Sequence, residues 1–420
     1  MLWAALFACS DVPVEAPPQR VGAVKLLVVL DTVRADHLSA CGYARPTSPV
    51  LSELVARGGA LRCDVLAPGS WTLPSHATFF TGTSLLEHGA RFVPPDQARM
   101  TNTLPVGPLG DDATTLAEQL SDEGWATVAV SGNPVVSEGT GLLQGFQLHR
   151  SAEKFRHLDG VEALGAVEEL VGAVPPEQDL FLFVNFAEAH APWPEIGPGH
   201  PWLPPRASAW SGVRSLMGSE VDASTWAETM AHHTDLYDEG IRRANQSLGA
   251  LLGWLEGAGR LGAGAEVVVT SDHGEFLGEH GLVSHGRYLW EPNQRVFTLH
   301  WVVGGRSRSE GSVHQLLGGG SPGLPMETVA FPDSQWQGLT GGRFGVHRSA
   351  AIWGARKVLW TDGEVQAFDL AADPEEQQPL AATAAEVAAV NALAARMEEL
   401  EVEPLSVEGL EALRAAGYVE

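Results

Sequence analysis

The chain has 420 residues, 52 of them acidic and 26 basic, for a formal net charge of −26. That balance argues against electrostatic binding to nucleic acid or to an anionic membrane surface, both of which call for a cationic face. Hydrophobic residues make up 44% of the chain, which implies a packed core and excludes wholesale disorder.

Met1 to Ser10 are apolar and end Leu6-Phe7-Ala8-Cys9, and the next ten residues are polar and Pro-rich. This resembles the end of a bacterial lipoprotein signal, with Cys9 as the lipidated residue. It predicts residues 1–23 as signal and tether, and a periplasmic or membrane-anchored location. No other segment is long and apolar enough to span a bilayer. Cys41 and Cys63 are too scattered for a disulfide framework or zinc knuckle, and read as two buried free thiols.

From Val24 the pattern turns to buried strands and amphipathic helices. Residues 25–30 form a near-continuous apolar run, as in a central parallel strand covered on both faces. Residues 47–58 predict a helix, opened by Ser48-Pro49 and closed by Gly58-Gly59. Further helices are expected over 114–123, 161–174 and 237–255, with strands over 125–130, 180–186 and 266–270. The alternation predicts an α/β fold with a mostly parallel central sheet flanked by helices. Residues 188–219, rich in Pro and Trp, read as a wall of the substrate pocket. Composition shifts to Gly, Ser and Pro over 304–342. Short strands over 348–360 and 365–370 and an Ala-rich helix over 385–400 then predict a small C-terminal α+β subdomain. The boundaries are 24–325 for the catalytic domain and 326–420 for the subdomain.

Polar residues gather at the strand ends. Asp31 ends the first strand, Ser131-Gly132-Asn133 the second, Glu188-Ala189-His190 follow the third, and Asp272-His273 the fourth. In open α/β sheets, ligands bind at the carboxyl ends of the strands. Thr72-Leu73-Pro74-Ser75-His76 adds a hydroxyl in a Pro-set turn. A hydroxyl, carboxylates and imidazoles are the requirements of a metal-assisted ester hydrolase.

These segments resemble the sulfatase family of the alkaline phosphatase superfamily over about residues 24–380. Four blocks carry the resemblance. Leu30-Asp31-Thr32-Val33-Arg34-Ala35-Asp36-His37-Leu38, with Gly42-Tyr43 and Thr47-Ser48-Pro49, is similar to the family's N-terminal metal block. Residues 72–82 are similar to its nucleophile block. Residues 271–280, then His285-Gly286 and Arg295-Val296, are similar to its second metal block. Phe368-Asp369-Leu370 with Asp373-Pro374-Glu375-Glu376 is similar to its C-terminal signature.

The resemblance implies Thr72 as nucleophile and Asp31, Thr72, Asp272 and His273 as ligands of one divalent metal. It implies His76, His190 and His285 as catalytic helpers, and Asn133 and Arg295 as substrate contacts, Arg295 being equally readable as half of an ion pair. In sulfatases proper, a separate maturase oxidises a Cys or Ser at this position to formylglycine. Thr72 carries an extra methyl that makes that aldehyde unreachable, so no formylglycine is expected and phosphorus esters are favoured over sulfate esters. An imidazole in the ligand set moves the metal preference from Ca²⁺ towards Mn²⁺ or Zn²⁺. His190, Asp235, His280 and His285 are available for a second metal, although nothing in their spacing demands one. Arg34 and Asp36 read as structural. The expected substrate is a small-molecule, glycan or lipid-headgroup ester. The alternatives are a phosphoethanolamine- or phosphoglycerol-type transferase and a catalytically silent binding protein with the same fold.

Overall fold

The computed structural model describes residues 21–92, 106–152, 156–207, 222–286, 288–318, 327–330, 348–353, 355–361 and 363–399. Cys9 and residues 1–20 of the expected signal and tether lie outside these residues, as do 208–219 of the expected pocket wall and, save 327–330, residues 319–342 of the Gly-, Ser- and Pro-rich stretch.

Seven strands form the central sheet: β1 Val24–Leu30, β2 Ala60–Leu66, β3 Ala126–Ser131, β4 Leu148–Ser151, β5 Leu180–Phe186, β6 Glu266–Thr270 and β7 Arg295–Val302. Their spatial order is β2-β7-β6-β1-β5-β3-β4. β1 runs parallel to both β5 and β6, and β3 runs parallel to β4 and β5. β7 is antiparallel to β6 and to β2. The mostly parallel sheet is therefore as expected, with an antiparallel margin on one edge.

The residues of β1 show why both faces are covered. Leu26, Val28 and Leu30 point into a core built with the helices α1 Pro49–Ala56, α4 Gly160–Gly172 and α5 Ala223–Gly257. Leu27 and Val29 point to the opposite core, with Trp71, Phe80 and Phe183, beneath α2 Thr72–Thr81 and α3 Leu116–Asp122. Apolar side chains at all but one position of a strand have this consequence: two faces, each needing a helical layer.

The helix expected over 237–255 begins earlier, at Ala223. Asp222 caps it, accepting hydrogen bonds from the N–H groups of Ser224 and Thr225. Its first two turns are largely exposed, so they carry little apolar periodicity.

A separate antiparallel sheet follows: β8 Glu327–Ala330, β9 Arg348–Trp353, β10 Arg356–Thr361 and β11 Glu364–Asp369, in sequential order. Helix α6 Ala384–Glu399 packs against β9 and β10. This is the small C-terminal subdomain.

The reading of Cys41 and Cys63 as free thiols is corrected. They form a disulfide, with Cα atoms 5.8 Å apart. Cys41 ends a short 3₁₀ turn after β1, and Cys63 sits on the edge strand β2. Their 22-residue separation hides a proximity that the tertiary fold creates.

Candidate active site

Thr72 is the first residue of α2 and fully buried. The chain reaches it through Gly69, where a Cβ would lie 2.6 Å from Pro74 Cγ, so only glycine lets the incoming loop close on the first helical turn. Pro74 occupies that first turn, where its missing N–H is no loss. At this helix terminus, backbone N–H groups and the helix dipole favour negative charge. Thr72 Oγ1 accepts a hydrogen bond from Asn133 Nδ2 at 3.1 Å and lies 3.4 Å from His273 Nε2.

Asp31, Asp272 and His273 are fully buried and bring one ligand atom each to within 4.8 Å of one another. Asp31 ends β1. Its Oδ2 accepts from Asn133 Nδ2 at 2.8 Å and Asn185 Nδ2 at 3.0 Å, and its Oδ1 from Thr32 Oγ1 at 2.8 Å. Asp272 Oδ1 accepts from the backbone N–H groups of Thr32 and His273. Thr32 takes a left-handed φ of 66° to present that N–H. Tyr237 of α5 holds the same turn, donating to Thr32 O at 2.7 Å and accepting from Arg34 N–H at 2.8 Å.

Asp272 Oδ2 makes no hydrogen bond. It faces His273 Nε2 at 3.4 Å and His76 Nδ1 at 3.6 Å. His273 Nδ1 donates to Gly274 O at 3.0 Å, which leaves the Nε2 lone pair directed at Asp31, Asp272 and Thr72. Burial opposes charge on Asp31, but His190, His273 and two amides outweigh it and hold the carboxyl down to about 2. Burial and the neighbouring Asp31 push Asp272 up to about 7. Burial also lowers the His273 imidazole, against the pull of Asp31. Two carboxylates, one orphaned oxygen and one imidazole nitrogen in a buried space fit a divalent cation.

Four imidazoles lead away from this cluster. His273 and His285 have ring centroids 4.4 Å apart, His285 and His190 4.9 Å, and His190 and His157 4.6 Å. His190 Nδ1 donates to Ala191 O at 2.6 Å. His285 Nδ1 lies 3.1 Å from Glu275 Oε2, whose carboxyl burial pushes well above the usual range. His76 sits beneath the cluster, its Nδ1 2.9 Å from Thr72 O and its ring edge-on to Phe183.

The structure thus gathers Asp31, Thr72, His76, Asn133, His190, Asp272, His273 and His285. Arg295 is engaged elsewhere, paired with Glu291 at 2.6 Å. Asp235 pairs with Arg45 and Arg206, and His280 stacks on Trp290, so neither supplies a second metal set. Among the described residues Asp31, Asp272 and His273 are the one group with metal-ligand geometry. Arg34 pairs with Asp36 at 2.7 Å and Glu279 at 2.6 Å, a structural role as expected.

Sequence reasoning missed Asn185, Thr32, Glu275 and His157. Asn185 had a signal: a lone amide inside an otherwise apolar buried strand must find a partner. The other three sit in irregular segments, where position depends on the fold.

A sulfatase family model matches residues 24–317. No curated protein is significantly similar in sequence. Among solved structures, the chain is similar to the phosphonate monoester hydrolase of Agrobacterium radiobacter at 18% identity and a TM-score of 0.61, covering 90% of this chain and 95% of that one. It is similar to BT1596, a 2-O GAG sulfatase, at 15% identity and a TM-score of 0.60, covering 94% and 96%. BT4656, solved with its substrate D-glucosamine-2-N,6-O-disulfate, aligns at 14% identity and a TM-score of 0.62, covering 95% and 98%. At these identities the likeness establishes the fold.

Proposed function

The chain belongs to the sulfatase family, and on that premise we propose that it is a metal-dependent ester hydrolase attacking through Thr72, with phosphorus esters preferred to sulfate esters. The observation that carries this reading is the convergence on Thr72 Oγ1 of a helix N-terminus, the Asn133 amide at 3.1 Å and His273 Nε2 at 3.4 Å.

Asp31, Asp272, His273 and Thr72 would hold one divalent cation, with Mn²⁺ or Zn²⁺ favoured over Ca²⁺ by the imidazole. When bound, such a cation polarises the ester and lowers the pKa of a neighbouring hydroxyl. Asn133 donates to the Thr72 oxygen and steadies the charge that grows there. Thr72 Oγ1 gives up its proton to solvent and attacks phosphorus, and the P–O bond to the leaving group breaks. The departing oxygen takes a proton that the His190 or His285 imidazole first draws from solvent. Water then cleaves the phospho-threonine, releasing phosphate and restoring the hydroxyl. The buried helix terminus favours the anionic phosphoryl group throughout.

The substrate class is a small-molecule, glycan or lipid-headgroup ester, in keeping with a phosphonate monoester hydrolase and a glucosamine-disulfate-binding protein among the structural neighbours. The same reading places the protein outside the cytoplasm. A disulfide such as Cys41–Cys63 persists in oxidising compartments. Cys9 would provide the lipid anchor, ahead of a catalytic domain over 24–325 and a subdomain over 326–420.

The test is a panel of aryl sulfate, phosphate monoester, phosphodiester and phosphonate monoester with Mn²⁺, Zn²⁺ or Ca²⁺, on protein made without a maturase. Phosphorus esters are expected to turn over fastest. Acid quenching is expected to trap a phosphate-sized mass increment on the peptide containing Thr72. Much faster sulfate ester hydrolysis, or turnover only after maturase co-expression, would contradict the reading.

A further inference from the structure

Four charged side chains meet where the C-terminal sheet joins the catalytic domain. Lys357 of β10 is 1% exposed, and its Nζ lies 3.1 Å from Glu291 Oε1 and 2.9 Å from Glu376 Oε1. Glu291 Oε2 pairs with Arg295 at 2.6 Å. Glu376 Oε2 accepts from the backbone N–H of Glu291 at 2.6 Å. Two cations balance two carboxylates. Glu376 also holds a left-handed φ of 54°, a conformation that persists in a non-glycine residue only where its surroundings fix it.

Cohesion alone does not call for this quartet. Beside it, Leu289 packs with Ala350, Leu359, Phe368 and Leu370, and the half-buried Trp290 lies against them. An apolar contact joins two units without stripping water from four charges. The quartet adds a fixed position for Glu291, and Glu291 begins a short helical turn, Glu291–Gln294.

That turn is bonded to both catalytic loops. Asn293 O accepts from Gly274 N–H at 2.8 Å, next to His273. Asn293 Nδ2 donates to Ser70 O at 3.1 Å, two residues before Thr72. Gln294 O accepts from Ala67 N–H at 2.7 Å, and Ser70 O also accepts from Gly286 N–H at 2.8 Å, beside His285. The fit has no slack: a Cβ on Gly274 would lie 2.1 Å from Pro292 O. A shift of Glu291 therefore moves the supports of Thr72, His273 and His285 together.

We propose that Lys357 is a positioning residue for the active site, acting through Glu291 and the 291–294 turn. The C-terminal subdomain is then part of the catalytic apparatus: it sets the distance between nucleophile loop and metal loop without touching substrate. This goes beyond the hydrolase reading, because the mechanical coupling holds whatever ester is turned over.

Two variants test it. Lys357→Met leaves Glu376 without its cation and is expected to lower the melting temperature. Lys357→Met/Glu376→Gln removes one charge of each sign, leaves Arg295 to balance Glu291, and keeps an acceptor for the Glu291 N–H. Its melting temperature is expected to return close to that of the parent. Amide hydrogen exchange is followed over residues 66–76 and 270–286. In the double variant, exchange in both segments is expected to rise about tenfold. On the fastest aryl ester of the panel, with saturating Mn²⁺ and below the melting temperature, kcat is expected to fall about tenfold or more with KM nearly unchanged. A merely structural role predicts recovery of exchange and kcat along with the melting temperature, and that result overturns the proposal. If the parent hydrolyses none of the esters, the hydrolase reading fails, and the exchange comparison still decides the role of Lys357.

Discussion

Asn133 ties the nucleophile to the metal cluster: its Nδ2 stands 3.1 Å from Thr72 Oγ1 and 2.8 Å from Asp31 Oδ2. An amide NH₂ has two hydrogens, so both bonds can be made at once. The bond to Thr72 strengthens as its oxygen gains charge, which makes it worth more in the transition state than in the ground state. Asn133→Ala is expected to lower kcat by about 10²-fold, the usual scale for losing one preorganised donor, with a small change in KM. Steady-state kinetics check this. An unchanged kcat would remove Asn133 from the mechanism.

Thr72 offers a contrast between two substitutions. Thr72→Ser keeps the oxygen at the helix N-terminus and is expected to retain activity within about tenfold, whereas Thr72→Ala is expected to lose several orders of magnitude. Thermal melting of both is expected to stay close to the parent, since only a few atoms are lost. The hydroxyl mechanism fails if the two variants have equal rates.

The parts of this site that were legible share one feature. Asp31, Asn133, His190 and Asp272 each follow a run of buried apolar residues, and such runs announce a central strand and its end. The strands β2 and β7 carried no such signal. β2 reads Ala-Leu-Arg-Cys-Asp-Val-Leu and is only half-buried at the sheet margin, so the placement of Cys63 beside Cys41 was invisible. Arg295 shows the limit of motif reading. The block containing it was recognisable, but its partner Glu291 also meets Lys357 from the far end of the chain. Asn185 was legible in principle, as the one amide in Leu-Phe-Leu-Phe-Val-Asn-Phe, because a buried amide without a partner is costly.

Metal removal has a stability signature as well as a kinetic one. Without a cation, Asp31 and Asp272 stand as two buried carboxylates, and Asp272 is pushed up to about 7 by burial and Asp31. A cation that binds the folded state alone adds about 2.7 kcal/mol at a hundredfold excess over its Kd. Dialysis against a chelator is expected to abolish turnover and lower the melting temperature, with Mn²⁺ restoring both. Asp272→Asn is expected to lose the Mn²⁺-dependent rise in melting temperature. Equal melting with chelator and with Mn²⁺ would show that this cluster holds no metal.

The disulfide ties the turn after β1 to the edge strand across a separation of 22 residues. Closing a loop of that size in the unfolded chain stabilises a protein by about 3 kcal/mol. Cys41→Ser/Cys63→Ser is expected to unfold at lower urea concentration by that amount, with turnover nearly unchanged, because neither cysteine contacts the metal cluster. Thiol titration of the unfolded parent, with and without reductant, checks the bond itself. Cys9, where it carries no lipid, contributes one thiol in either case; two further reactive thiols in unreduced protein would refute the bond and remove the disulfide argument for export.

Acid sensitivity is expected from the helix that carries the nucleophile. His88 is buried; its Nδ1 accepts from Ala90 N–H at 3.1 Å, so Nε2 carries the proton and faces Thr78 Oγ1 of α2 at 3.0 Å. Protonating Nδ1 would break the Ala90 bond and bury a second cation near Arg91. Burial first, and Arg91 second, push this imidazole from 6.5 down to about 3. The folded-state value is depressed, so the unfolded chain binds the extra proton between those limits. Stability is therefore full above pH 6.5 and is lost as pH falls towards 3. His157, lowered to about 3 by burial and His190, adds in the same direction. His88→Gln keeps a donor for Thr78 and removes the titrating group. Between about pH 6 and 4, its unfolding free energy is expected to fall less steeply than the parent's, by up to about 1.4 kcal/mol per pH unit. Urea denaturation at closely spaced pH values measures both slopes. Equal slopes would mean that His88 is already charged in the folded protein, and that the contact between His88 and the nucleophile helix is not the one described.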